Sequence, residues 1–205
     1  MSPSDWSSLG LVSTVLQVQN HWRIADDGYV AGRAWERAKL DACPFHPEGG
    51  CGLTGLGSYP RVSPPGMRVP RFWCPKQGKS ISLLPGFLAA QVTGTLDELE
   101  AVIVAVEEAP TFAAAVEEVR PGDVEDAVDL PGAQRWVRRR VRWVTAFLRV
   151  VITLVPTRLA GVPPTLSAVR NHLGTTRALV ALRELVSRHL HAVAAPLGFA
   201  HRARR

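Results

Sequence analysis

All three cysteines of this 205-residue chain fall between positions 43 and 74, with a histidine among them: Cys43-Pro-Phe-His46, then Cys51, then Cys74-Pro-Lys-Gln-Gly78. This spacing constrains the fold more than any other feature. The two-residue gap between Cys43 and His46 lets one tight turn aim two side chains at a single ion, and a hairpin running from Cys51 to Cys74 can return a third and a fourth donor to the same point. Thiolates and an imidazole suit Zn2+, and a closed Cys3His tetrahedron leaves no open position for a substrate, so the implied role is structural. Gln77 stands where a second knuckle would carry another thiolate. The competing reading is a ribbon whose cysteines are simply buried, as small core residues often are, with His46 at the surface. An odd number of cysteines does not suit a disulfide scaffold.

Glycine and proline punctuate short β-prone runs around this cluster, Leu56 to Val62, Met67 to Trp73 and Ser80 to Leu84, with the turn Ser63-Pro-Pro-Gly66 between the first two. Upstream, Ser13 to Trp22 alternates like a strand, and Val30 to Leu40 reads as a short helix with Trp35 on one face. From Thr95 onward the apolar spacing becomes helical. Thr95 reads as an N-cap with Glu98 as its capping-box partner, ahead of the stripe Leu96, Leu99, Val102, Ile103 and Val106. Thr111 caps a second helix through Val119, which Pro121-Gly122 stops. Pro131 suits the first turn of a third helix that runs to Val155, where Pro156 interrupts it; its seam is Val137, Val141, Val144, Leu148, Val151 and Val155. Thr165 caps a short helix to His172. Thr175 or Thr176 caps a longer one through Ala194, with Leu179, Leu182, Val186, Leu190 and Val193 inward.

Charge is divided sharply along the chain, whose formal net charge is +6. Residues 97 to 130 hold eleven acids and one base, Arg120; residues 131 to 205 hold fourteen arginines and one acid, Glu184. Arginine suits bidentate phosphate contact, so the second block predicts a polyanionic partner, nucleic acid being the simplest. With Val137, Val141 and Val144 facing a core, Arg135, Arg138, Arg139 and Arg142 form a ridge on the outer side of the third helix. Arg68, Arg71, Lys76 and Lys79 on the hairpins would extend that track. The bland alternative is a solvated face paired with Glu117, Glu118, Asp123, Glu125 or Asp126. Trp136 and Trp143 read first as helix-packing residues rather than base-stacking platforms.

Three helices with the basic one last suggest a helix-turn-helix-like arrangement, although the acidic interval Arg120 to Leu130 is longer than the usual turn. No run of apolar residues is long enough to span a membrane, and no secretory signal is visible at Met1-Ser-Pro-Ser-Asp-Trp, so a cytoplasmic location is expected. The chain carries no G-x-S-x-G, Walker loop, dinucleotide fingerprint or H-E-x-x-H, and a non-enzymatic role is expected.

Cys43-Pro-Phe-His46, Cys51-Gly52, Val62-Ser-Pro-Pro-Gly66, Cys74-Pro75, Ser80-Ile-Ser-Leu-Leu-Pro85 and Leu130-Pro-Gly-Ala-Gln-Arg-Trp-Val-Arg-Arg-Arg140 together resemble an uncharacterised bacterial family related to the N-terminal parts of insertion-sequence transposases. The resemblance covers roughly residues 41 to 149. It implies a zinc ribbon leading into helix-turn-helix helices, metal ligands at Cys43, His46, Cys51 and Cys74, and DNA contacts on the arginine helix. It does not bring catalysis: an RNase H-type transposase needs three carboxylates on a β-rich core, and this chain has one acid after residue 130.

The expectation is therefore an α+β chain: an N-terminal segment (1–40), a zinc-ribbon-like β-hairpin module (41–90), a helix-turn-helix-like helical module (95–155), and C-terminal helices with a basic tail (156–205). The expected function is non-enzymatic binding of double-stranded DNA by a transposon-derived or transposon-associated protein. The alternative is a protein-interaction or oligomerisation module, in which the acidic block 97–130 docks on the basic block 131–205 of a second chain to give a homo-oligomer.

Overall fold

The computed structural model describes residues 16–20, 26–120 and 130–199. Its architecture is mixed α+β, a sheet followed by helices. Strands β2 (Thr54–Pro60), β3 (Arg68–Cys74) and β4 (Lys79–Pro85) form an antiparallel meander, and β1 (Leu16–Asn20) adds to it parallel to β4, giving the order β1-β4-β3-β2. The register runs from Thr54 opposite Trp73 to Pro60 opposite Arg68, with a bulge between Gly55 and Ser58; Arg71 lies opposite Ser82 on β4. The three hairpin strands fall within two residues of where the sequence places them. Parallel pairing of β1 with β4, Leu16 opposite Ile81, is non-local and left no mark in the strand pattern.

β4 is a central strand, and its residues Ser80 to Pro85 are all buried. Alternation along the strand puts Ile81 against the cysteine cluster and Leu84 against the helices. The helix expected over Val30 to Leu40 is displaced and shorter: α1 spans Asp26–Ala31, followed by one 3-10 turn at Ala34–Glu36. Tyr29 of α1 anchors this segment, packing its ring against Phe87 and Trp35 and donating its hydroxyl proton to the Arg68 carbonyl at 3.1 Å.

Helix α2 (Leu96–Glu108) begins on a complete capping box: the Glu98 amide donates to Thr95 Oγ1 at 3.0 Å, and the Thr95 amide donates to Glu98 Oε2 at 2.7 Å. Thr111 caps α3 (Phe112–Val119) through its hydroxyl oxygen. Helix α4 (Leu130–Leu154) has 25 residues, about 37 Å of rod at 1.5 Å per residue. Its two halves serve different cores. Ala133 and Val137 join Val102 of α2 and Val116 of α3 in a three-helix cluster, whereas Val144, Phe147, Leu148 and Val151 enter the main core with residues of the sheet. After a short turn, α5 (Pro156–Leu159), come α6 (Leu166–Leu173), capped by Thr165 as its sequence implies, and α7 (Ala178–Leu185).

The last helix departs from expectation at both ends. Neither Thr175 nor Thr176 is its N-cap, and beyond Leu185 the chain turns through Ser187–His189 instead of continuing to Ala194. Two buried charges account for this. Glu100 of α2, only 4% exposed, accepts the Ala178 and Leu179 amides at 3.0 and 2.9 Å, so the acid of another helix does the work of a cap. Arg183, with no exposed surface, donates to the carbonyls of Leu197 at 2.8 Å and Gly86 at 2.9 Å, and also to that of Leu88. It thereby fastens the C-terminal loop to the segment that follows β4. The apolar stripe survives the break: Leu179, Leu182, Val186, Leu190 and Val193 are all buried. No helix among the described residues is long and apolar enough to cross a membrane.

Candidate metal centre and nucleic-acid interface

The fold brings Cys43, His46, Cys51 and Cys74 to one point, with one donor atom from each lying within 4.8 Å of all the others. Local chemistry sets each one. The His46 amide donates to the Cys43 carbonyl at 2.9 Å, closing the turn that sets both side chains on one side of the loop. Cys74 is the last residue of β3, and the turn after it closes through the Gly78 amide to the Pro75 carbonyl at 3.2 Å; Gly78 sits at φ +60°, where a side chain would be strained. Gly52, at φ +68°, makes the equivalent bend after Cys51. Gln77 lies exposed in the second turn, and Cys51 completes the set of four.

The donor set fits a tetrahedral ion. His46 Nδ1 lies 3.7 Å from Cys43 Sγ and 3.4 Å from Cys74 Sγ. Zinc bonds of ordinary length imply a sulfur-to-nitrogen edge of about 3.6 Å in a tetrahedron. The three cysteines are buried, sheathed by Leu40, Phe45, Leu53, Phe72 and Ile81. Burial pushes the Cys43 thiol up, but hydrogen bonds with His46, the Phe45 backbone, Cys74 and Cys51 outweigh it and bring the group down to about 7. Cys51 is raised, by burial and then by the neighbouring Cys43 and Cys74 thiols. Three thiols crowded into one apolar pocket suit a cation that takes them as thiolates.

On α4, Arg135, Arg138, Arg139 and Arg142 are all exposed, opposite the buried Val137 and Val144. Among the described residues none of the four forms an ion pair; the ion pairs there are Arg33–Glu36, Arg170–Glu100 and Arg177–Asp97. Glu117 and Glu118 therefore leave the ridge unpaired, while Asp123, Glu125 and Asp126 lie outside the described residues, as does the basic end of the chain. Arg138 rests over the Phe112 ring at 5.0 Å. Arg149 is exposed and carries the ridge on to about 21 Å from Arg135. Its place seven residues after Arg142 was the available signal.

The hairpin cations are disposed differently. Arg68 is bound into the sheet, its Nε donating to Ser58 Oγ at 2.9 Å and its terminal nitrogen to the Ser58 carbonyl at 2.8 Å. Arg71 lies over the Tyr59 ring at 5.8 Å, Lys79 over Phe45 at 5.5 Å, and Lys76 is exposed in the metal-site turn.

Three acids of α2 hold the C-terminal helices. Besides Glu100, Glu107 accepts the Leu166 and Ser167 amides, both at 2.8 Å, at the start of α6, and Asp97 takes the Arg177 guanidinium side-on, with one contact at 3.0 Å. The sequence does signal this: Glu100 and Glu107 lie four and eleven residues after Leu96, on the same helical arc as Leu99 and Ile103. No protein-family model, curated protein or solved structure matches the chain.

Proposed function

We propose that this chain is a non-enzymatic DNA-binding protein of transposon-derived or transposon-associated type, acting in the cytoplasm, and that its Cys3His cluster holds a structural Zn2+. The observation that carries the reading is the exposed arginine row on α4, without an acidic partner among the described residues. Four guanidinium groups on one face repel one another, and a phosphate backbone relieves that repulsion while releasing its own counterions. The packing of α4 on α2 and α3 supports a helix-turn-helix-like use, with the basic helix third and its outer side facing a duplex. Arg71, Lys76 and Lys79 extend the track from the hairpins.

The zinc would be held by Cys43, His46, Cys51 and Cys74, and its chemistry is that of a cross-link between two turns. Around it, Phe45, Phe72 and Ile81 exclude water. The competing reading, an acidic block that docks on a second chain, loses Asp97, Glu100 and Glu107, which are engaged within the chain.

Gel-shift titrations against duplex DNA over a salt series test the main reading. Changing Arg135 and Arg139 to Gln together should flatten the slope of log affinity against log salt by about two, because each phosphate contact contributes close to one. An unchanged slope rejects the ridge. Elemental analysis should find one zinc per chain, and a chelator should lower the unfolding midpoint steeply, since structural zinc contributes on the order of 10 kcal/mol in comparable small sites. Cys74→Ser should reproduce the chelated state.

A further inference from the structure

The arginine ridge of α4 has a centre. Arg135, Arg142 and Arg149 recur every seven residues, about 20° short of two full helical turns, so they form one nearly straight line along the rod. Arg142 is the middle member, about 10.5 Å from each of the others. The line runs opposite the buried Val137, Val144 and Val151. Arg138 and Arg139 lie one turn before Arg142, one on either flank of the line. One turn after it come Thr145 and Ala146. Helical side chains lean back over the preceding turn, so only these two short ones stand over the backbone of Arg142. Arg142 is exposed and makes no hydrogen bond or ion pair among the described residues, whereas Arg138 is drawn toward α3, over the Phe112 ring at 5.0 Å.

This arrangement divides the arginines by what each can reach on a duplex. A helix with its side chains is about 10–12 Å across, and the major groove of B-DNA is about 12 Å wide and about 8.5 Å deep. The inner side of α4 is packed on the two cores, so the helix can enter a groove only with the line of Arg142 toward the floor. A groove winds round the duplex once in about 10 base pairs while the rod is straight, so the two stay close over only a few base pairs. The point of closest approach is the centre of the line, where Thr145 and Ala146 leave clearance. Toward its ends, at Arg135 and Arg149, the strands cross the rod, and the flanking Arg138 and Arg139 face the two walls.

We infer that Arg142 is the residue that reads sequence, its guanidinium paired with O6 and N7 of one guanine in the major groove, while Arg135, Arg138, Arg139 and Arg149 hold phosphates. The inference rests on the DNA-binding reading and deepens it: the phosphate contacts set register and orientation, and one base-edge contact selects the site. A single reader gives a short target centred on one G·C pair, favoured over other pairs by about fivefold to a hundredfold.

The test is selection by the full chain from a pool of duplexes randomised over their central base pairs, followed by fluorescence anisotropy on the selected duplex. The native chain should return one position fixed as guanine, and 7-deazaguanine at that position, which lacks the N7 acceptor, should weaken binding about tenfold. Arg142→Gln should abolish the guanine preference and put adenine in its place, since a glutamine side chain pairs with adenine N6 and N7. Arg139→Gln should keep the guanine while weakening every duplex alike. Both substitutions are at exposed positions, and urea unfolding should find their midpoints unmoved. A pool returned without a preferred base, or a guanine preference that Arg142→Gln leaves unchanged, overturns the assignment while leaving the ridge intact. Failure to bind any duplex at low salt overturns the DNA reading and the assignment with it.

Discussion

Helices α2 and α4 are both amphipathic rods with one strongly charged side, and the fold treats their charges in opposite ways. On α2, Asp97, Glu100 and Glu107 are taken up by Arg177 and by the first amides of α7 and α6. On α4, Arg135, Arg139 and Arg142 stay exposed, with no hydrogen bond or ion pair among the described residues. The sign of the charge is not what separates them. Angular position is: Glu100 and Glu107 project from the arc that carries Leu99 and Ile103, so packing brings other helices onto them, whereas the ridge arginines project from the far side of the Val137–Val144 seam. Arg183 obeys the same rule from the basic block. It sits between Leu182 and Val186 on the inward arc of α7 and is buried with them. On α2 and α7 the charges on the buried arc, Glu100 and Arg183, become part of the fold, whereas the ridge charges off the seam of α4 stay outward.

The largest expected effect comes from Arg183. Arg183→Met fills a similar volume but strips donors from the carbonyls of Gly86, Leu88 and Leu197 together, and each buried acceptor left without a partner costs about 1–3 kcal/mol. Urea unfolding should report a loss of about 3 kcal/mol or more at an unchanged slope. Arg183→Lys should recover less than half, because a single ammonium cannot reach carbonyls spread over two segments. A loss within the range of an ordinary surface substitution would break the comparison at its strongest point.

Glu100→Ala should come next, at about 2–3 kcal/mol, since two buried amides and the partly buried Arg170 lose an ionised acceptor. Glu100→Gln keeps one acceptor oxygen and should cost less. Burial raises the Glu100 pKa, overriding the opposing pull of the Leu179 and Ala178 amides and of Arg170. A carboxyl that holds its proton more tightly folded than unfolded adds stability below its ordinary titration range and loses that contribution as pH climbs through the raised value. The stability difference between the native chain and Glu100→Gln should therefore shrink as pH rises across the weakly acidic range, and a difference that grows would reverse the assignment. Glu107→Ala, at an exposed position, should cost about 1 kcal/mol, the usual price of a lost cap.

The same distinction explains how far the sequence could be read. Caps are local, and Thr95 with Glu98, Thr111 and Thr165 all act where their spacing places them. The hairpin runs and the cysteine–histidine set are equally local, each fixed by turns a few residues long, and the structure brings the four donor atoms together. Partners distant in the chain left weaker marks. The addition of β1 beside β4 depends on residues more than sixty positions apart. The start of α7 at Ala178 depends on Glu100 taking the capping role that Thr175 or Thr176 was expected to fill, and the chain beyond Leu185 is tied by Arg183 to Gly86. Hydrophobic spacing could still assign Leu190 and Val193 to the core, because the turn through Ser187–His189 keeps them on the inward side even where the helix is lost. The Arg140 guanidinium lies over the Trp136 ring at 3.3 Å, an i, i+4 pair the sequence could have shown, whereas the approach of Arg120 from the end of α3 is non-local; the sequence put helix packing first for Trp136.

The smallest expected effect on stability is the sharpest test of the comparison. Arg139→Gln removes one exposed guanidinium with no partner among the described residues, so the unfolding free energy should move by less than about 0.5 kcal/mol. In low salt the change should lean toward stabilisation, because Arg135 and Arg142 lose a like charge one helical turn away, and added salt should erase the gain. The same substitution should lower duplex affinity and take about one from the salt slope. Silence in folding with a clear loss in binding is the signature of a charge kept off the buried arc. A loss of stability comparable to that of Glu100→Ala would mean that Arg139 is engaged within the chain, and would place the ridge with the acids of α2 rather than opposite them.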